Sequence, residues 1–203
     1  MVSGIYGIYL EGSGRFVDAY CDMDTAGGGW TVIQRRMDGS VDIDKTWAEY
    51  KKGFGSVSAE HWLGNDNIHF LTSLKTYRLR IDLVDFYGNT SNATYKPFRV
   101  GNESVNYKLE IGSYSGSAGD ALRVHHGNGF TTKDRDNDLC IHNCGVLFNS
   151  GWWFRKCLTS NLNGIYTDIG LSTKQYEGLA WTTWPDTYFI TWTEMKVRPL
   201  RED

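Results

Sequence analysis

The chain has no basic surplus: 21 Lys and Arg stand against 24 Asp and Glu in 203 residues, a net charge of -3. Gripping a phosphate backbone takes clustered positive charge, so nucleic acid is excluded as an expected partner. Long apolar runs are missing too. None approaches the roughly 20 residues that cross a bilayer as a helix, and mean hydropathy is -0.43, so no membrane span is expected. Proline is scarce at 3 residues against 23 Gly, which points to many turns and a loop-rich fold. No repeat or linker divides the chain, so a single domain over residues 1–203 is expected. No secretory signal opens it: Met1-Val2-Ser3-Gly4 runs straight into Ile5-Tyr6-Gly7-Ile8, like an excised domain behind an added start. Metalloprotease, serine-hydrolase, dinucleotide and phosphate-loop motifs are all absent, and no nucleophile has a visible partner. An enzyme is therefore not expected.

What is present is aromatic bulk, 14% with 8 Trp, enough for a packed core. Strands are expected at Arg15–Cys21, Trp30–Arg36, Tyr77–Asp85 and Thr193–Pro199, the third alternating at period two. Helices are expected from Thr46 to Lys52, stopped by Gly53, and from Asn65 to Leu74, with Ile68, Leu71 and Leu74 at helical spacing. The class is α+β. From Gly112 periodicity fades into Gly, Ser, Asn and Asp, and such an irregular tract in a compact domain points to a loop-built site near residues 120–190.

Four cysteines, Cys21, Cys140, Cys144 and Cys157, allow three pairings that arithmetic does not choose among. Zinc is the alternative, but Cys-x3-Cys with a later single Cys matches no common finger spacing. The acceptor sequons at Asn89, Asn92 and Asn102 cluster in one polar stretch, which reads as an exposed loop of a glycosylated, secreted protein.

Asp134, Asp136 and Asp138 alternate in a turn-rich segment and offer calcium several hard oxygen ligands. An EF-hand is ruled out: counting from Asp134, the sixth position is Leu139 and the twelfth Gly145. Beyond them Phe148, Trp152, Trp153 and Phe154 lie between Cys144 and Cys157. At least one of the tandem tryptophans belongs to the core, while such aromatics can also wall a small pocket. Adjacent His125 and His126 in a Gly-bearing loop read as surface residues, and His61 and His69 as hydrogen-bonded core or surface groups.

Several segments together resemble the fibrinogen C-terminal domain, over nearly the whole chain and in that family's order. They are Tyr20-Cys21-Asp22-Met23, Gly27-Gly28-Gly29-Trp30, Glu60-His61-Trp62-Leu63-Gly64, Phe130-Thr131-Thr132-Lys133-Asp134-Arg135-Asp136-Asn137-Asp138, Gly151-Trp152-Trp153, Ser160-Asn161-Leu162-Asn163-Gly164 and Glu194-Met195-Lys196-Val197-Arg198-Pro199. The nearest resemblance is to the ficolin, tachylectin and fibrinogen C domain-containing members. It implies a central twisted, mainly antiparallel sheet with short helices. The implied division is an N-terminal part at about 1–45, a sheet from 46–112 plus 190–203, and a loop-rich, calcium-binding part at 113–189. It also implies a structural calcium ion, Ca2+, held by the side chains of Asp136 and Asp138 and the carbonyls of Cys140 and His142, and a disulfide between Cys144 and Cys157. Cys21 and Cys140 are then not paired to each other.

In lectin-like members the peptide before the second cysteine is cis, here Lys156-Cys157, and the amides of Cys157 and Leu158 hold an acetyl oxygen. Phe148, Tyr176 and Trp181 would complete that pocket. This sequence departs from the family at Leu158, commonly His, at Phe148, commonly Tyr, in the Tyr176-to-Gly178 spacing, and in its extra Cys140. The resemblance implies a secreted, calcium-dependent pattern-recognition domain of innate immunity. It would bind acetylated carbohydrate or a microbial cell-wall component and act as a homo-oligomer in the full-length protein. The rival reading is an adhesion or polymerising domain for a protein or peptide partner.

Overall fold

The computed structural model describes residues 1–167, 178–184 and 190–200. In chain order the strands and helices are β1 (Gly4–Leu10), β2 (Arg15–Asp22), β3 (Trp30–Arg36), α1 (Trp47–Lys52), β4 (Phe54–Gly55), β5 (His61–Trp62), α2 (Asn65–Ser73) and β6 (Tyr77–Asp85). There follow β7 (Thr90–Val100), β8 (Leu109–Gly116), α3 (Cys144–Leu147), β9 (Ser160–Asn161), β10 (Ala180–Trp181) and β11 (Ile190–Pro199). The large sheet runs β1-β2-β3-β11-β6-β7-β8, all neighbours antiparallel, and β5 and β4 extend it from β3. The fold is thus a large antiparallel sheet with short helices. The last strand of the chain, β11, sits at its centre between β3 and β6.

Local chemistry sets the element ends. Thr46 caps α1 in a reciprocal capping box with Glu49, and Gly53 ends that helix at φ 94, where a Cβ would lie 2.6 Å from the Leu63 carbonyl oxygen. On β6 the buried and half-buried residues alternate along the whole strand, as period two requires. Two expectations fail here. Leu74 lies just past α2 and is 62% exposed, whereas Ile68 is buried and Leu71 half-buried against the core as the spacing requires. The stretch that carries the sequons is largely strand, not loop: β7 is paired on both sides, to β6 and β8, because its Ser, Thr, Tyr and Phe residues suit a pleated surface. Asn89 and Asn102 remain exposed at either end of β7, while Asn92 is half-buried within it.

The sheet also carries a buried charge cluster. Lys196 on β11 is 2% exposed and its Nζ lies 2.6 Å from Asp22, 2.9 Å from Asp82 and 3.1 Å from Glu194. Arg35 on β3 meets the other Glu194 oxygen at 2.7 Å. Paired this way, the charges satisfy one another where none could be buried alone.

Beyond the sheet an aromatic core carries the loop-rich half. Trp62 packs on Phe130 and Trp153 with ring centroids 5.7 and 5.9 Å apart, and Phe130 meets Trp153 edge-on at 5.3 Å. The Tyr50 hydroxyl donates to the Ile43 carbonyl and accepts from the Gly151 amide. Only glycine fits at 151, since a Cβ there would meet Tyr50 at 2.6 Å and Phe130 at 2.7 Å. Trp152, Trp153 and Phe154 are all fully buried. The tandem tryptophans therefore fill the core and wall no pocket.

Candidate functional site

The site region is the loop from Phe130 to Ser160, fixed first by its backbone. Thr131 and Trp152 exchange amide-carbonyl hydrogen bonds at 2.9 and 3.2 Å, and Thr132 and Arg135 close a turn. Asp134 faces back into the protein: its Oδ1 accepts from the Trp47 amide at the start of α1 and from the Thr132 hydroxyl, each at 2.8 Å. Asn137 likewise turns inward, its side chain donating to the Phe130 carbonyl at 2.7 Å. Asp136 and Asp138 are left on the outer side of the loop.

Asp138 organises the turn that leads into α3. One carboxylate oxygen accepts from the Cys140 amide at 2.8 Å, the other from the Cys144 amide at 2.9 Å, and Asp136 accepts from the Asp138 amide at 3.1 Å. Burial pushes the Asp138 carboxyl above the usual carboxylate range, with the Asp136 charge adding to it and the two amides opposing. Among the described residues no cation pairs with either aspartate. Two close carboxylates without a counter-charge, followed by a turn whose carbonyls include those of Cys140 and His142, form an oxygen-rich donor set suited to a hard cation such as calcium. His142 is exposed and Cys140 half-buried.

Cys144, fully buried at the start of α3, is bonded to Cys157, with Cα atoms 5.5 Å apart. Asn143 caps α3, accepting from the Val146 amide at 3.1 Å. In the chain-entropy account a disulfide closing a loop of this length stabilises by about 3 kcal/mol. Cys21 is free and buried, and Cys140 is free.

The segment after the disulfide wraps around an imidazole. His125 is fully buried; its Nδ1 donates to the Trp153 carbonyl at 2.7 Å, and its Nε2 accepts from the amides of Thr159 and Ser160 at 3.3 and 3.1 Å. The expectation of a surface His125 is overturned, because the buried amides of this loop need an acceptor inside the protein. His126 is exposed, as expected. Burial lowers the His125 pKa to about 4, so the ring is neutral. Its partners lie up to 35 residues away in sequence, and no local signal in the chain marks them. Leu139 donates to the Arg155 carbonyl at 2.7 Å and so ties the loop to the Asp138 turn.

The expected pocket residues differ in exposure on this scaffold. Phe148 is half-buried and stacks on Phe154 at 5.9 Å. Cys157 and Leu158 are half-buried, and among the described residues nothing accepts from the backbone amide of either. Trp181 is corrected: it is 1% exposed, and its indole N–H is spent on the carbonyls of Ala118 and Gly119, both at 3.1 Å, so it supports the site from the core. The expected cis bond at Lys156-Cys157 is also corrected. The cis bond among the described residues is Lys96-Pro97, and Lys156-Cys157 takes the trans form that a non-proline peptide favours by about 3 to 4 kcal/mol. Tyr176 lies outside the described residues. Cavities of about 710 Å3, lined by Lys75, Arg99 and Lys108 among others, and about 320 Å3, lined by Arg36, Asn149 and Tyr166 among others, do not include Phe148, Cys157 or Leu158 in their walls.

Comparison with known proteins is decisive about ancestry. The profile described as "Fibrinogen beta and gamma chains, C-terminal globular domain" matches residues 1–200. The chain belongs to this family. It is 45% identical over 199 residues to angiopoietin-2 of Bos taurus, covering 97% of this chain and 40% of that one. It is 46% identical over 206 residues to fibrinogen C domain-containing protein 1 of Mus musculus, covering 98% and 45%. The chain thus spans less than half the length of these curated relatives. Among solved structures, the fibrinogen-like globe domain of human ANGPTL2 superimposes with TM-score 0.94 at 40% identity, covering 98% of this chain and 93% of that one. Lamprey fibrin D-dimer, complexed with the peptide Gly-His-Arg-Pro-amide, gives 0.91 at 34% identity, covering all of this chain and 71% of that one. Fibrinogen C domains are non-enzymatic binding domains, and this chain is not an enzyme. No helix among the described residues is long and apolar enough to cross a membrane.

Proposed function

We propose that this fibrinogen C domain is a secreted, calcium-dependent recognition module. In this reading it binds acetylated glycans or related microbial surface groups at the segment Cys157–Leu158. The observation that carries the reading is the pair of backbone amides at Cys157 and Leu158, in half-buried residues and without an acceptor among the described residues, in a segment braced by a disulfide on one side and His125 on the other. A carbonyl oxygen of an acetyl group is the kind of acceptor two adjacent N–H groups take. Leu158 and Phe148 would supply apolar surface for its methyl, and Tyr176 is the further pocket residue that the family resemblance assigns.

Calcium belongs to the proposal as a structural ion. The Asp136 and Asp138 carboxylates and the Cys140 and His142 carbonyls would hold it, and the ion would supply the positive charge those aspartates lack. Because Asp138 accepts from both Cys140 and Cys144, and Cys144 is bonded to Cys157, the ion site is two links from the recognition amides. A small acetyl group makes few contacts, so a single site is expected near millimolar affinity. Binding a surface then takes several copies, supplied by a homo-oligomer of the full-length protein.

A second reading is a docking domain for a protein or peptide. It is favoured by the 45% identity to angiopoietin-2 and by the peptide bound in the lamprey relative. Competition separates the two. A multimerised chain captured on acetylated surfaces should be released by N-acetylated monosaccharides and by EDTA under the lectin reading, and by neither under the docking reading.

A further inference from the structure

Cys140, Cys144 and Cys157 place their three sulfur atoms within 4.8 Å of one another, although only Cys144 and Cys157 are bonded. We propose that Cys140 is an internal exchange partner of this disulfide. In the exchange its sulfur attacks Cys144, forms a Cys140–Cys144 bond and releases Cys157 as a free thiol beside the surface.

The step is redox-neutral: one S–S bond forms as another breaks. Cys140 gives up its thiol proton to solvent, and the departing Cys157 sulfur takes one back, so no oxidant or reductant is consumed. Direction follows from burial. Cys144 is fully buried in the hydrophobic core, where a departing thiolate would be poorly solvated. Cys157 is half-buried and follows the exposed cations Arg155 and Lys156, so its sulfur is the better leaving group. The backbone is already arranged for the product, since the Cys140 and Cys144 amides converge on the two oxygens of one carboxylate, Asp138. Cys21 takes no part: it is buried on β2, paired between Gly4 and Thr31, and burial raises its thiol pKa. The inference stands on the sulfur geometry and is independent of the ligand reading. Its consequence is a second disulfide isomer, in which the 155–158 segment is untethered from α3 and Cys157 is open to thiol-directed modification.

Tryptic cleavage after Arg135, Arg155, Lys156 and Lys174 puts Cys140 and Cys144 together in peptide 136–155 and Cys157 alone in peptide 157–174. The folded chain would be held at mildly alkaline pH without reductant, under conditions where Cys21 stays unlabelled. It would then be pulsed with N-ethylmaleimide, acid-quenched and mapped without reduction. The proposal expects maleimide on Cys157 together with an internally bonded 136–155 peptide, and loss of both in Cys140→Ser, whose 136–155 peptide should stay joined to 157–174. Two results would overturn it. One is labelling confined to Cys140 with 136–155 still joined to 157–174; the other is equal Cys157 labelling in Cys140→Ser. A Cys140–Cys157 link with labelled Cys144 would overturn the assigned direction.

Discussion

His125 Nε2 accepts the Ser160 amide at 3.1 Å while the opposite ring nitrogen donates to Trp153, so one neutral imidazole ties the inside of the disulfide-closed loop to the segment that follows it. Replacing it with alanine removes the acceptor for two amides and the donor for a buried carbonyl. From the cost of unsatisfied buried groups, His125→Ala is expected to lose about 3 kcal/mol of stability, read by urea unfolding.

The same contact makes stability depend on pH. The folded pKa is about 4, below the ordinary value of 6.5, so the unfolded chain binds the proton more readily. The His125 contribution is complete above pH ~6.5 and falls away as pH drops toward ~4, amounting to about 3 kcal/mol across that window. Unfolding free energies measured from pH 7 to pH 4 should show this slope, and His125→Ala should flatten it.

The Lys196 cluster makes a different demand. Lys196→Met keeps the bulk but strands Asp22, Asp82 and Glu194, and breaking a buried pair from one side costs about 3 to 5 kcal/mol. Burial alone would raise the Asp22 carboxyl, but the hydrogen bonds from Lys196, Thr25 and Asp24 outweigh it and hold it below the usual range. Its contribution is therefore present above the ordinary aspartate pKa and is lost only as pH falls through the lowered folded value. In calorimetry the variant should melt well below the parent at pH 7, and the gap should narrow in strong acid.

How much of the fold is legible in the sequence depends on the range of the interactions. The helix α1 is written locally, in Thr46, Glu49 and Gly53, and β6 in its own alternation. The centre of the sheet is legible only as strands, because which strand lies beside β11 is decided by residues more than a hundred positions apart. The strand β7 is hidden by its own polarity: its sequons read as an exposed loop, whereas two neighbouring strands satisfy its backbone. His125 is hidden for the opposite reason, since a Gly-flanked His-His pair reads as surface and the amides that bury it lie 34 and 35 residues on. The Cys144–Cys157 pairing is legible through family resemblance; spacing alone leaves it open.

Calcium should stabilise the fold by mass action. At free calcium one hundred times the dissociation constant the gain is about 2.7 kcal/mol. Melting temperature is expected to rise with calcium and return with EDTA, and Asp136→Asn with Asp138→Asn should abolish the response.

The central claim is that the Cys157–Leu158 amides, held by the disulfide and the Asp138 turn, form a calcium-dependent acetyl site. Its most direct test is surface binding of a multimerised chain to N-acetylated and matching non-acetylated glycans, with and without EDTA, beside Tyr176→Ala. The account predicts binding that requires the acetyl group, disappears with EDTA and is lost in Tyr176→Ala. Equal binding to the non-acetylated partners, or binding unaffected by EDTA, would contradict it.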